Sequence, residues 1–174
     1  MFRMPVDPNT LTLAIYPAPI LKIRAEEVDI TDPNVHAVAQ RMIEMMFEYQ
    51  GVGLAAPQVG LSWRIFVTRN PEDEDAGIAW INPRLEIIDK TLEIDEEGCL
   101  SLPEIRGDIR RSVGIKISGW DMNGNHAEMV SDAFIARVWQ HENDHLDGVL
   151  ILDKMSALDR LVNRRQIKSL ERAV

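Results

Sequence analysis

One stretch, residues 132–148, "DAFIARVWQHENDHLDG", constrains this chain more than any other. Phe134, Ile135, Val138 and Trp139 make a helix here apolar on two sides, and such a helix has to be buried. The same helix carries His141, Glu142 and His145. Residues four apart share a helix face, so both imidazoles point one way, as the H-E-x-x-H pattern of a metal site requires. Taken alone, the pattern also fits the polar edge of an ordinary amphipathic helix. Burial separates the two readings, because buried polar groups need partners and one metal ion satisfies two histidines at once.

The other elements must therefore wrap around this helix. Residues 31–51, "TDPNVHAVAQRMIEMMFEYQG", read as a helix capped by Asp32, with Pro33 in its first turn and Gly51 as its stop. Val35, Val38, Met42, Met45, Met46 and Tyr49 recur at steps of three and four, an inward stripe in which methionine serves as core filler. "WRIFVTR", "GIAWIN" and "LEIIDKTLEI" read as strands, with "PEDEDAG" a surface loop between the first two. "VGIKISGWDM" and "HAEMVS" form a hairpin about Asn123-Gly124, a dipeptide suited to a type I′ turn. Ser131 is placed to cap the histidine helix and Gly148 to end it. A final helix begins near Ser156 with a Ser-x-x-Asp cap. Strands in clusters with helices set apart give an α+β class: antiparallel sheets packed around the buried H-E-x-x-H helix, plus a C-terminal helix, as one domain over residues 1–174.

Composition narrows the setting. At 45% hydrophobic and 27% charged residues the chain has an ordinary globular balance. No apolar run nears the roughly 20 residues that span a bilayer. "MFRMPVDPNT" has no apolar core of a secretory signal, and a single cysteine allows no disulfide within the chain, so a cytoplasmic protein is expected. A net charge of −9 argues against general nucleic-acid binding. Residues 153–174 differ, with six basic residues against three acidic, +3 in all. A solvated helix face is the simpler reading of that tail, and a docking surface the other.

A catalytic zinc-type site uses three protein ligands and leaves one position open. A third histidine six residues past His145 is excluded, because Ile151 stands there, and the only later glutamate, Glu171, lies in the basic tail. That leaves Cys99 in "EEGCLSLPE". A lone cysteine is often an inert buried thiol, but a position between Gly98 and Leu100-Ser101-Leu102-Pro103 suits close approach more than core packing. Cysteine with two histidines fits a borderline metal such as zinc or ferrous iron. Upstream, "GVGLAAPQVG" has neither a phosphate loop's Lys-Ser/Thr nor G-x-G-x-x-G, which removes nucleotide binding. Its glycines let backbone come close to a ligand and Gln58 offers an uncharged amide, though a tight turn with an exposed glutamine reads equally well.

Together the three pieces resemble peptide deformylase. Its signatures G-φ-G-φ-A-A-x-Q, E-G-C-φ-S and Q-H-E-x-D-H stand in order at residues 51–58, 97–101 and 140–145, and the likeness extends over roughly residues 11–160. The short spacing between the first two signatures is that of the bacterial type without a long insertion. The resemblance implies a hydrolase that removes the N-formyl group from the first methionine of new polypeptides and releases formate. It implies that Cys99, His141 and His145 hold one divalent ion, Fe2+ in nature with Zn2+, Ni2+ or Co2+ substituting. Glu142 would be the general base and acid, with the Gln58 amide and the Leu100 backbone N–H as oxyanion donors. Val52, Gly53, Gly98, Phe134 and Val138 are the substrate-binding candidates. Relatives dock on the ribosome through a C-terminal helix, which makes the basic tail a candidate ribosome contact. Two rival classes stay open: a zinc peptidase cutting internal bonds, and a closed structural metal site with His36 or His126 as fourth ligand.

Overall fold

Asp32 accepts a hydrogen bond from the Asn34 N–H (2.9 Å) and starts α1, Pro33–Glu48. Val35, Val38, Met42, Met45 and Met46 are buried along it as the periodicity requires. Tyr49 is not: the chain leaves the helix there and the side chain is 43% exposed. Gln50, at φ 56°, makes the reversal expected of Gly51. The computed structural model describes residues 4–174; residues 1–3, the start of the stretch read for a secretory signal, lie outside it.

After α1 come β1 (Gly53–Ala55), a 3-10 turn (Ala56–Val59), β2 (Ile65–Asn70), β3 (Asp73–Cys99), β4 (Leu102–Trp120) and β5 (His126–Ser131). All five strands lie in one antiparallel sheet in chain order. Two expected strands and most of "PEDEDAG" belong to β3. The turn is only Pro71-Glu72, since Asn70 already pairs with Asp73. Asn82-Pro83 does not end the strand. Asn82 takes φ 50° while its amide exchanges hydrogen bonds with both Val28 backbone groups, so the chain bulges and continues. The first part of β3 pairs with β2 and the rest with β4, and this long hairpin closes at Cys99↔Leu102.

Between β4 and β5 the connection is a five-residue loop rather than a two-residue type I′ turn. Asp121 Oδ1 accepts from the N–H groups of Asn123 and Asn125, and of the expected pair only Gly124 has positive φ. Ser131 belongs to β5, where its hydroxyl accepts from the Ala133 N–H, and α2 (Phe134–Leu146) starts from Ala133 without a side-chain cap. Packing holds α2 instead. Trp139 is fully buried and meets Trp80 edge-on at 6.3 Å, a contact whose truncation to alanine costs about 3–5 kcal/mol. Gly148, at φ 72°, ends the helix; a Cβ there would stand 2.6 Å from the Lys22 carbonyl oxygen.

Short α3 (Ile151–Lys154) follows, and the expected final helix is two: α4 (Ala157–Val162), capped by Ser156, and α5 (Arg164–Arg172). Asn163 divides them and donates its amide to the Arg106 carbonyl on β4. The core has three parts: α1 on β1–β3, α2 on β2–β4, and the N-terminal segment with α3 and Ile167 on the tip of β4. Burial surrounds α2, and its histidines face the hairpin end that carries Cys99.

Candidate metal centre

His141 and His145 sit one turn apart on α2, their rings 5.1 Å apart and edge to face. Cys99 meets them from the end of β3, with its Sγ 3.4 Å from His145 Nε2. One donor atom from each residue lies within 4.8 Å of the others. Bonds of about 2.1 Å to nitrogen and 2.3 Å to sulfur put tetrahedral ligands about 3.5 Å apart, so the cluster is of the right size for one ion. Among the described residues no fourth histidine, cysteine or carboxylate joins it. His36 is bonded to the Ile30 carbonyl, His126 lies against Trp120, and Glu171 accepts from the Tyr16 hydroxyl.

Glu97 organises the surroundings. Its carboxylate accepts two bonds from Arg111 (2.7 and 2.9 Å), one from Arg137 (2.9 Å) and one from His141 Nδ1 (2.9 Å). Fixing Nδ1 in this way leaves His141 Nε2 to face the cluster, the role outer partners play at metal-binding histidines. Burial alone would raise the Glu97 carboxyl, but the Arg111 and His141 bonds outweigh it and hold it well below the usual range. Arg111 also reaches Asp144 (2.7 Å), which lies 3.4 Å from Lys154. Burial disfavours charge at His141, yet its bonds to Cys99 and Glu97 prevail and favour the protonated ring. His145 is driven by burial well below its ordinary value, towards the neutral form a ligand needs.

Glu142 has the opposite surroundings to Glu97. It is buried, its Oε2 has no hydrogen-bond partner, and burial pushes its carboxyl up to about 7, against partial opposition from His141 and Arg111. Gln58 is 2% exposed, which removes the reading of a surface glutamine in a tight turn. Its Oε1 accepts from the Ala55 N–H (2.9 Å), and this turns the NH2 group towards Ser101 Oγ (3.2 Å) and Cys99 Sγ (3.5 Å).

Above the cluster opens a cleft of about 480 Å³. Val52, Gly53, Gly98, Leu100, Phe134 and Val138 line it together with Gln58, Cys99, His141 and Glu142, while His145 lies beneath. Val52 and Phe134, 46% and 62% exposed, form its rim and Val138 is buried. The sequence reading had no role for Glu97, Arg111, Arg137 or Asp144. Signals were present: Glu97 and Asp144 are fixed letters of two of the signatures, and Ile105, Ile109 and Arg111 alternate on β4, which puts an arginine at an inward position where a buried carboxylate has to answer it.

An uncharged amide and a buried, unpaired carboxylate beside a Cys-His-His cluster equip this fold for water-driven cleavage of a carbonyl compound, which defines a metal-dependent hydrolase of the H-E-x-x-H kind. The description "polypeptide deformylase" belongs to the family model that matches residues 10–161. A peptide deformylase of Thermotoga petrophila is 44% identical over 162 residues, covering 93% of this chain and 97% of the relative. The crystal structure of peptide deformylase from Thermotoga maritima superposes with a TM-score of 0.77 at 45% identity, over 84% of this chain and 97% of that one. Plasmodium falciparum peptide deformylase, in complex with an inhibitor, gives 0.83 at 37% identity over 92% and 99%. The chain belongs to the polypeptide deformylase family. Its reaction is hydrolysis of the N-formyl group from the N-terminal methionine of newly made polypeptides, with release of formate. No helix among the described residues is long and apolar enough to cross a membrane.

Proposed function

We propose that in this chain Cys99, His141 and His145 hold the single divalent ion of the reaction, that Glu142 is its general base and acid, and that residues 1–174 act as one catalytic domain. The observation carrying this reading is Glu142 itself, a buried carboxylate with an unpaired oxygen, next in sequence to one of three donors that lie within 4.8 Å of one another. A bound divalent ion supplies Lewis-acid polarisation and lowers the pKa of water from 15.7 towards about 7. Glu142 takes the proton released as water attacks the formyl carbon and hands it to the leaving amine, a contribution of about 10²- to 10⁴-fold. The Gln58 NH2 and the Leu100 N–H donate to the formyl oxygen as its charge grows; one such donor is worth about 3 kcal/mol. Extended peptide pairs with the backbone at Gly53 and Gly98. The methionine side chain lies against Val52, Phe134 and Val138.

Glu142→Gln tests the assignment, because glutamine keeps the size of glutamate but cannot serve as base. Metal content and melting temperature should stay near wild type while turnover falls by about 10² or more. Metal lost with the variant would reassign the ligands. Loss of activity on unformylated rather than formyl-methionyl peptides would favour a peptidase.

We infer ferrous iron as the natural ion, because one sulfur and two nitrogen donors suit a borderline metal and the family's natural metal is usually iron. Activity that decays in air and survives under anaerobic handling supports this. A cytoplasmic place of work follows from a lone free cysteine and a substrate made there. Arg164, Arg165, Lys168 and Arg172 are exposed on α5 while Ile167 anchors it, a layout suited to docking on ribosomal RNA. Changing Arg164, Arg165 and Lys168 to glutamate should weaken salt-sensitive ribosome binding and spare hydrolysis of short peptides.

A further inference from the structure

Arg137 occupies an unexpected place. It lies on the face of α2 that lines the cleft, one turn before His141 and one turn after Phe134. Exposed arginines on a cleft wall usually extend into water, since nothing holds them. Here the side chain is only 12% exposed. It donates to Glu97 Oε1 (2.9 Å), to the Ile109 carbonyl (2.9 Å) and to the Glu93 carbonyl (3.0 Å). The last two acceptors are backbone carbonyls of β4 and β3, so Arg137 ties α2 to both strands of the hairpin.

From this geometry we propose that Arg137 is a specificity-determining positioning residue, which clamps α2 to the β3–β4 hairpin and so fixes the width of the pocket that receives the substrate's first side chain. Only arginine has a planar fork that serves three acceptors on two strands at once; lysine, a point donor, cannot. The clamp sets the separation between Val138 on the helix and Gly98 and Ile105 on the hairpin. With its charged end drawn into the protein, Arg137 presents its aliphatic stem to the cleft, which leaves the pocket narrow and apolar. A narrow apolar pocket admits an unbranched side chain and excludes a broad one. Arg137 is not required to hold His141, because Arg111 already bonds both oxygens of Glu97. Its effect therefore falls on binding and selectivity rather than on the ion or the chemical step. The inference rests on the reading that this cleft takes the formyl-methionyl end.

Arg137→Met keeps the stem and removes the fork. With metal content measured, KM for a formyl-methionyl peptide should rise about tenfold and kcat change by less than about threefold, the signature of lost uniform binding. Preference for formyl-Met over formyl-Phe peptides should fall by about tenfold or more. Affinity for the product, a methionyl tripeptide, should fall in parallel by calorimetry on both metal-free and loaded protein. Amide exchange at residues 93–95 should quicken. Arg137→Lys, which keeps one charged donor and serves if the methionine variant fails to fold, should fall between the two. Unchanged KM and selectivity in the variants, or a fall in kcat that tracks lost metal, would overturn the proposal. A wild type that neither cleaves formyl-Met peptides nor binds the methionyl product would sink the reading beneath it instead, so the two failures are distinct.

Discussion

Gly53 is packed so closely on Glu142 that a Cβ at position 53 would stand 2.5 Å from Oε1 and 2.9 Å from Cδ of the carboxylate. The glycine does not have positive φ, so conformational freedom is not the reason for it. Space is. β1 runs directly over α2, and hydrogen is the only substituent that leaves Glu142 in place.

Gly53→Ala should therefore impair chemistry without unfolding the protein. The methyl group pushes the Glu142 carboxylate aside by an ångström or so, and a misplacement of that size costs about 10²-fold in rate. Metal content should hold, since the three atoms nearest the new methyl all belong to Glu142 and none to Cys99, His141 or His145. Turnover within twofold of wild type would show that Glu142 has room to move.

Glu97→Gln should weaken metal binding. Glutamine keeps the shape but removes the charge that answers Arg111, Arg137 and His141. Loss of an outer partner of a metal-bound histidine costs about 10- to 100-fold in metal affinity, and an uncompensated buried charge costs about 3–5 kcal/mol of stability, with Asp144 retaining part of the Arg111 pairing. Competition with a chelator and a thermal melt read the two effects separately. Wild-type metal affinity in the variant would remove Glu97 from the support of His141.

Some of this architecture could be read from the residues alone. The cap and stripe of α1, the burial of α2, and the meeting of Cys99 with His141 and His145 follow from local periodicity and from the shortage of other donors. Elsewhere tertiary context overrides the local signal. Asn82-Pro83 reads as a stop, but the hydrogen bonds of Asn82 with Val28 carry the strand through. Asn123-Gly124 reads as a two-residue turn, but the Asp121 carboxylate organises a longer loop. Ser156 announces one helix, and Asn163 breaks it to bond β4. The Glu97–Arg111–Asp144 chain escaped because its members come from three distant segments. Arg111 has no signal except its inward parity, and parity in a bulged strand is hard to count without the partner's register.

Cys99→Ser should lose most metal and activity. A serine hydroxyl is a poor substitute for sulfur towards a borderline ion, and no other free thiol is present, since the sequence holds one cysteine. Metal analysis on anaerobically purified protein, with turnover on a formyl-methionyl peptide, checks it. Normal metal content together with normal turnover would end the assignment of Cys99.

Replacing the formyl group with acetyl should cost far more than the roughly 10- to 200-fold that one methylene changes in an apolar pocket. The extra methyl falls at the reacting carbon, where Gln58 is fixed by the Ala55 N–H and cannot retreat. Rates on matched formyl-Met and acetyl-Met peptides test this, and comparable values would point to a general amidase.

Asp153 makes a pH-dependent contribution to stability away from the site. It accepts from the Leu150 N–H (2.8 Å) and pairs with Lys22, joining the N-terminal segment to the turn that follows α2. Burial raises its carboxyl, but the bonds from Lys22 and Leu150 outweigh this and hold it below the ordinary 3.8. A carboxyl lowered on folding stabilises the folded state fully above its unfolded value, and that stability drains away as pH falls through the folded one. The side chain is 39% exposed, so solvent screens the pair and the effect is small, about 1–3 °C in melting temperature. Asp153→Ala should thus melt below wild type by a constant margin from pH 7 to about pH 5, and the margin should narrow as pH drops below 3.8. A margin that stays constant down to pH 3 would mean that Asp153 acts through packing, with its charge contributing nothing.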